Sequence, residues 1–197
     1  MDNQNMPAQK NGVVVYCASS GRVDKKYIDT AIETGRLIAE SGLTLVNGGG
    51  AMGLMAATIE GCIEAGGSAT GVLPQFMIDK GWAHPRLTQC ISTPTMHVRK
   101  ATMAEMAVAA IALPGGIGTL DELAEIMTWN QLGLFEDPVI ILNTDGFYDP
   151  LLEMFRKMND EQFMRGDVIP ARVVSTPTEA IGIINTYINR CHNRPTA

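Results

Sequence analysis

The chain has 197 residues, 46% of them hydrophobic and 18% charged, with a formal net charge of −6. That length and apolar content are enough for one sizeable core, and no low-complexity tract interrupts it. The acidic balance leaves no basic stripe to neutralise a polyphosphate backbone, so no nucleic-acid partner is expected.

In chain order, apolar β-rich runs alternate with helical patterns. Residues 13–17 precede a helical pattern over 27–40, and 44–47 precede 54–65. A third run covers 68–73, after which 90–92 precede 97–107 and 109–113 precede 120–132. The alternation continues with 139–142 before 148–158 and 172–174 before 179–191. It predicts an α/β fold of the Rossmann-like, doubly wound kind: a mostly parallel sheet with helices on both faces and ligands at the carboxyl ends of the strands. The near-continuous runs Val13-Val14-Val15 and Val139-Ile140-Ile141-Leu142 suit strands covered on both sides.

Two glycine turns fall at those carboxyl ends. The first, Gly48-Gly49-Gly50-Ala51-Met52-Gly53, overlaps a GxGxxG pattern, but the acidic residue expected about 20 positions on is missing, since 68–73 run into Pro74 and Gln75. A nucleotide wall including Gly49 and tight helix–sheet packing is therefore expected in preference to a dinucleotide site. The second turn, Pro114-Gly115-Gly116-Ile117-Gly118-Thr119, separates an apolar run from a helical pattern beginning near Thr119. Gly115, Gly116 and Gly118 let backbone N–H groups approach an anion at a helix N-terminus, and Thr119 adds a hydroxyl donor. Glu122 then falls in the first turn of that helix, where a capping box with Thr119 is the plainer explanation for both. The capping box does not account for the three glycines, whereas a phosphate cradle beside a carboxylate uses all five residues.

Other segments meet the same sheet edge. Cys17-Ala18-Ser19-Ser20 brings small hydroxyls, Ser19 among them, suited to a phosphate or ribose. Residues 74–94 form an irregular stretch, long for a compact domain, which reads as a site-flanking or lid-like segment whose Trp82, Ala83, His84 and Pro85 form a base-side wall. Met96-His97-Val98-Arg99-Lys100 opens a helix with cations in its first turn, where the helix dipole disfavours them. That placement points to Arg99 or Lys100 facing an anionic ligand, with arginine offering a bidentate fork. The expected organisation is a polar tail over 1–12, a single nucleotide-binding α/β domain over 13–192 and a short tail over 193–197.

Cys17, Cys62, Cys90 and Cys191 are widely spaced without a CxxC pair, and His84, His97 and His192 lack HExxH spacing, so no metal is called for. No apolar stretch reaches the roughly 20 residues of a membrane span, and 1–11 read as a loose polar tail rather than a signal peptide, so a cytoplasmic protein without a membrane partner is expected.

Taken together, Asn47-Gly48-Gly49-Gly50, Gly53-Leu54-Met55, Met96-His97-x-Arg99-Lys100 and Pro114-Gly115-Gly116-x-Gly118-Thr119-x-x-Glu122 resemble the LONELY GUY family of cytokinin riboside 5′-monophosphate phosphoribohydrolases. The resemblance extends through Thr128-Trp129-Asn130-Gln131-Leu132-Gly133 and Asn143-x-Asp145-Gly146-Phe147-Tyr148-Asp149-Pro150. It implies hydrolysis of the N-glycosidic bond of an adenosine-type 5′-monophosphate, N6-modified or plain, without a cofactor. It implies Arg99 and Glu122 as the catalytic pair, and Lys100, the stretch from Gly115 to Asp121, and Thr128 as substrate contacts, with Met96 beside them. It also implies a homodimer or larger homo-oligomer. Where many relatives carry a glutamate ahead of the Ala-His pair, this chain has Gly81-Trp82, which bears on base selectivity. Two other readings of the same residues are a mononucleotide sensor without turnover and a pyridoxal phosphate-dependent lysine decarboxylase, the latter requiring Lys100 as its Schiff-base lysine.

Overall fold

A computed structural model describes residues 10–164 and 169–192. Seven strands form one parallel sheet: β1 (Gly12–Tyr16), β2 (Thr44–Asn47), β3 (Ala69–Pro74), β4 (Gln89–Thr93), β5 (Ala107–Ala112), β6 (Val139–Leu142) and β7 (Arg172–Val174), in the order β4-β3-β2-β1-β5-β6-β7. Seven helices connect or follow them: α1 (Lys25–Glu40), α2 (Gly53–Glu64), α3 (Gln75–Asp79), α4 (Met96–Glu105), α5 (Ile117–Gln131), α6 (Asp149–Asp160) and α7 (Pro177–His192). A 3₁₀ turn, Thr144–Gly146, precedes α6. The doubly wound α/β fold predicted from the alternation is thus present. The strand order grows outward in both directions from β1 and β5, which makes the crevice at their carboxyl ends the place for a ligand.

The alternation of side chains along a strand divides the core in two. Val13 and Val15 of β1 face α1, α2 and α7, packing with Ala31, Ile38, Leu54, Ile59, Cys62, Ala180 and Ile184. Val14 and Tyr16 face the opposite layer, with Met103 and Ala104 of α4, Leu123, Ile126 and Met127 of α5, and the partly buried Leu151, Leu152 and Phe155 of α6. In this layer Met103 of α4 is fully buried and Met127 of α5 nearly so. Burial of each such side chain contributes about 1.5–3 kcal/mol.

Several boundaries differ from the sequence reading. β1 begins at Gly12, inside the expected polar tail, because its N–H donates to Met106 O (3.2 Å) and a side chain there would collide with that carbonyl. Of the two expected tails, residues 1–9 and 193–197 lie outside the described residues. The stretch 74–94 is not irregular: it contains the five-residue α3 and the edge strand β4. Its remaining part, 80–86, is a strap that crosses back over the first glycine turn. Ala51 N–H donates to Trp82 O (3.0 Å), His84 N–H donates to Gly49 O (2.8 Å), and Gly50 and Ala83 form an antiparallel bridge.

Candidate active site

The crevice at the carboxyl ends of β1 and β5 is a cleft of about 840 Å³. Its walls come from the β1–α1 loop (Cys17 to Ser20), the first glycine turn (Gly48, Gly50, Met52), the strap (Gly81, Trp82), the start of α4 (Met96, Arg99) and the start of α5 (Gly116 to Thr119, Asp121, Glu122). A wider surface depression of about 1120 Å³ follows the β6–β7 edge and contains none of the candidate site residues.

Helix α4 is capped by Thr95, whose hydroxyl accepts from Val98 N–H (3.2 Å). That cap fixes the direction in which Arg99 leaves the helix. The side chain is only 6% exposed. Its Nε donates to Val72 O (2.8 Å) within β3, and its Nη1 donates to Glu122 Oε1 (2.8 Å). The guanidinium crosses the α-carbon of Gly48 so closely that a Cβ there would collide with it and sit 2.9 Å from Met55 Sδ. Glycine at 48 is therefore required by a neighbour 51 positions away, a requirement invisible in the local sequence. Two fixed hydrogen bonds leave the rest of the guanidinium fork facing the cleft.

Helix α5 begins at Ile117, with Gly116 as its N-cap in an extended conformation and no side-chain cap. This corrects the expectation of a start near Thr119 and removes the Thr119–Glu122 capping box as the alternative account of these residues. Thr119 is instead the third helical residue, 4% exposed, packed so tightly against Gly115 that a Cβ on Gly115 would meet its side chain. Glu122 is the sixth helical residue and lies about 7.5 Å along the axis from Ile117 at 1.5 Å per residue. The carboxylate is thus removed from the anion-binding end of the helix and need not repel a phosphate there. Its side chain is 11% exposed. Burial pushes the Glu122 carboxyl above the usual carboxylate range, although the charge and hydrogen bond of Arg99 work in the opposite direction. Burial, reinforced by the nearby Glu122 charge, also raises the Tyr16 phenol and the Cys17 thiol, so Cys17 lines the cleft as a neutral thiol and not as a nucleophile.

The two glycine turns differ in what they offer an anion. In α2 the first free amides are already used: Leu54 and Met55 N–H both donate to Ala18 O (2.9 and 3.3 Å). Gly53, at φ +63°, makes this approach possible, since a Cβ there would lie 2.6 Å from the Ser19 and Ser20 backbone. In α5 the amides of Gly118 and Thr119 meet no carbonyl from another element among the described residues. The GxGxxG-like turn is therefore a packing device in this chain, whereas the second turn leaves helix N-terminal amides open toward the cleft, as an anion would require.

Of the residues predicted for the site, the cleft brings together Ser19, Met96, Arg99, Gly116, Gly118, Thr119, Asp121 and Glu122. Gly49, Gly115, Lys100 and Thr128 do not line it. Gly115 lies under the turn and Gly49 under the strap. Thr128 is exposed on α5, its hydroxyl donating to Ala124 O (2.8 Å). Lys100 turns away from Arg99 and pairs with Asp121 Oδ2 and Glu125 Oε2, both at 3.1 Å. Burial works to lower the Lys100 ammonium, but hydrogen bonds to those two carboxylates outweigh it and hold the pKa above its usual value. Trp82 lines the cleft as the base-side reading expects, whereas His84 is buried behind it, with Nε2 3.1 Å from Glu60 Oε1. Met52, Met55, Leu73 and Met77 complete an apolar wall around Trp82 that periodicity alone did not assign to the cleft. Among the described residues there is no group of three or more His, Cys, Asp or Glu side chains able to hold a metal ion, and no helix is long and apolar enough to cross a membrane.

Residues 55–184 match a family model described as "Possible lysine decarboxylase". The chain is 40% identical over 166 residues to the cytokinin riboside 5′-monophosphate phosphoribohydrolase LOG of Oryza sativa subsp. japonica, covering 84% of this chain and 68% of that protein. It is also 40% identical over 178 residues to LOG2 of Arabidopsis thaliana, which bears the same enzyme name, covering 89% and 83% respectively. Among solved structures, the molybdenum cofactor binding protein of Rippkaea orientalis superposes with a TM-score of 0.72 at 25% identity, over 92% of this chain and 99% of that one.

Proposed function

The chain belongs to the family of cytokinin riboside 5′-monophosphate phosphoribohydrolases, and from that premise we propose how its cleft acts. The reaction is hydrolysis of the bond between the ribose and the base of an adenosine-type 5′-monophosphate, giving free base and ribose 5-phosphate. The observation that carries this reading is the buried Arg99–Glu122 pair at the cleft, set one and a half turns along the helix whose N-terminus forms the anion seat.

The 5′-phosphate sits against Gly116, Gly118 and Thr119, where free amides and the positive end of the α5 dipole complement it. Seating the phosphate there places the ribose along α5 toward Glu122, so binding at the remote phosphate orients the reacting carbon. As the bond from C1′ to the base nitrogen breaks, its electron pair leaves with the base and positive charge develops on the sugar. Glu122 stabilises that charge and takes a proton from the attacking water, which forms the new C1′–O bond; a proton passed to the departing base nitrogen, directly or through water, completes the free base and restores the carboxylate. Its raised pKa makes it a stronger base than an ordinary carboxylate. Arg99 holds the Glu122 carboxylate in place and presents its remaining N–H donors to the substrate. Ser19 is a ribose or phosphate contact, and Met96 flanks the sugar. Lys100 acts on the substrate through Asp121, which it fixes at the cleft wall.

A pyridoxal phosphate enzyme would need a lysine that becomes a neutral amine in the cleft. Lys100 is turned into α5, paired with two carboxylates and held protonated, which disfavours that reading. The sensor reading leaves the buried carboxylate unexplained and is not favoured.

The active assembly is a homodimer: Met96, Val98, Leu120 and Ile117 are exposed apolar side chains beside the cleft, Ile117 at 82%, and a second copy would cover them. The exposed, unpaired Cys90 and Cys191 suit a reducing compartment, the cytoplasm. The test is incubation of the purified protein with AMP, N6-isopentenyl-AMP and the two nucleosides, assaying free base and ribose 5-phosphate. Release restricted to the monophosphates is expected. Equal release from the nucleosides would remove the α5 anion seat from the reaction, and no release with retained nucleotide binding would restore the sensor reading.

A further inference from the structure

His84 lies outside the cleft wall, yet its N–H and imidazole tie down the strap that carries Trp82. Its N–H donates to Gly49 O (2.8 Å), next to the bond from Ala51 N–H to Trp82 O (3.0 Å), so the strap is stitched to the first glycine turn on both sides of Ala83. The imidazole is 7% exposed. Its Nδ1 accepts from Arg86 N–H (3.3 Å), so the neutral ring carries its proton on Nε2, the atom that faces Glu60 Oε1 at 3.1 Å. Glu60 belongs to α2, and its other oxygen pairs with Arg86. The strap is thereby tied to the helix that begins at the cleft. The indole it carries is only half-buried, with Lys80 Nζ 4.9 Å from its ring centroid as a further aromatic contact. Trp82 N–H donates to Met77 O (3.1 Å) on the α3 side, and His84, the one buried residue of the strap, anchors its other side.

We infer that His84 is a positioning residue for the base end of the cleft, acting through Trp82 by locking the 80–86 strap onto α2 and the first glycine turn. The inference rests on the proposed seating of the phosphate at α5, which leaves the base against Trp82, Met52, Met55 and Met77. It assigns the apolar wall a fixed shape and makes base recognition depend on a buried contact that never touches the ligand.

The test uses the full-length chain carrying Glu122→Gln, so that binding is read without turnover, and titrates two ligands: AMP, and ribose 5-phosphate, which lacks the base. Adding His84→Ala should weaken AMP about tenfold, the scale of losing a hydrogen bond to a charged group. Ribose 5-phosphate should stay within about twofold, as for an uncoupled site. Trp82→Ala should weaken AMP as well, and combining it with His84→Ala should add little, because one residue acts through the other. His84→Gln, whose amide can reach Glu60, should recover part of the loss. If His84→Ala fails to fold, Glu60→Gln loosens the same tie and carries the same expectation. Equal weakening of both ligands, fully additive losses, or unchanged AMP affinity would overturn the inference. A wild-type protein that releases no base fails the hydrolase reading separately, while the binding cycle still decides the role of His84.

Discussion

Replacing Glu122 with glutamine separates the chemistry of the cleft from its architecture. Glutamine keeps the length of the side chain and an oxygen that can accept from Arg99 Nη1, now 2.8 Å from Glu122 Oε1. It removes the charge that stabilises the sugar cation and the base that takes the water proton. Loss of such a group costs about 10²–10⁴ in rate, or roughly 3–5 kcal/mol in the barrier. Folding stability should change little, because a buried carboxylate is itself disfavoured by burial and its removal offsets the weaker bond to Arg99. Glu122→Ala should behave differently, since it removes the carboxylate partner of an arginine that is only 6% exposed. Leaving one member of a buried pair uncompensated costs about 3–5 kcal/mol of stability. The assay is base release from AMP under single-turnover conditions, alongside urea unfolding of both variants. A Glu122→Gln protein retaining more than about a tenth of wild-type rate would refute the assignment of general base, for which the minimum expected loss is about a hundredfold. Equal stability of the Gln and Ala variants would refute the argument from the stranded arginine.

The pH profile should carry the same residue's signature: kcat/KM falls as pH drops through the Glu122 pKa, which burial sets above the ordinary carboxylate range of about 4.3. An acid limb at an unshifted value would contradict this. The folding side of the linkage has the opposite sense, because the folded protein holds the Glu122 proton more tightly than the unfolded chain. That contribution to stability is present at low pH and lost as pH rises through the raised pKa, and a Glu122→Gln titration of unfolding free energy should lack the step. Gly48→Ala should displace the Arg99 guanidinium and lower kcat about a hundredfold, as a misplacement near 1 Å does, with native-like circular dichroism; wild-type rates would show that the guanidinium does not need its seat. Gly53→Ala combines a left-handed φ with a collision against the Ser19 and Ser20 backbone, and should cost about 1–3 kcal/mol in a denaturant melt; an unchanged midpoint would refute the strain.

Much of the scaffold was legible because its strands are continuous apolar runs between breakers. β2 and β6 coincide with the expected bounds, Thr44–Asn47 and Val139–Leu142. α3 escaped because Gln75–Asp79 is too short to display a period. The start of α5 was misplaced because Thr119 and Glu122 imitate a capping box, whereas the extended Gly116 opens the helix earlier. The glycine turn that opens α5 at the cleft was readable as three glycines before a helix. The partnership of Arg99 with Glu122, 23 positions apart, came from the family motif and not from any local rule. The same limit explains Lys100. Its adjacency to Arg99 suggested a shared target, but successive helical residues point about 100° apart, and Lys100 turns to α5. His84 was read as part of a wall because nothing in the sequence announces Glu60 as its neighbour.

The Ala18 carbonyl that occupies the first amides of α2 has a consequence for how a turnover ends. With the Leu54 and Met55 amides of α2 already taken, the phosphate seat proposed here is the one at α5. Breaking the bond to the base does not move the phosphate, which stays on the sugar, so one product leaves the cleft with its anchor already lost and the other remains seated. On the proposed seating the free base is expected to depart first and ribose 5-phosphate last, an order that product-inhibition patterns would check. Ribose 5-phosphate therefore competes with incoming nucleotide for the same seat, while the base alone competes only for the apolar wall.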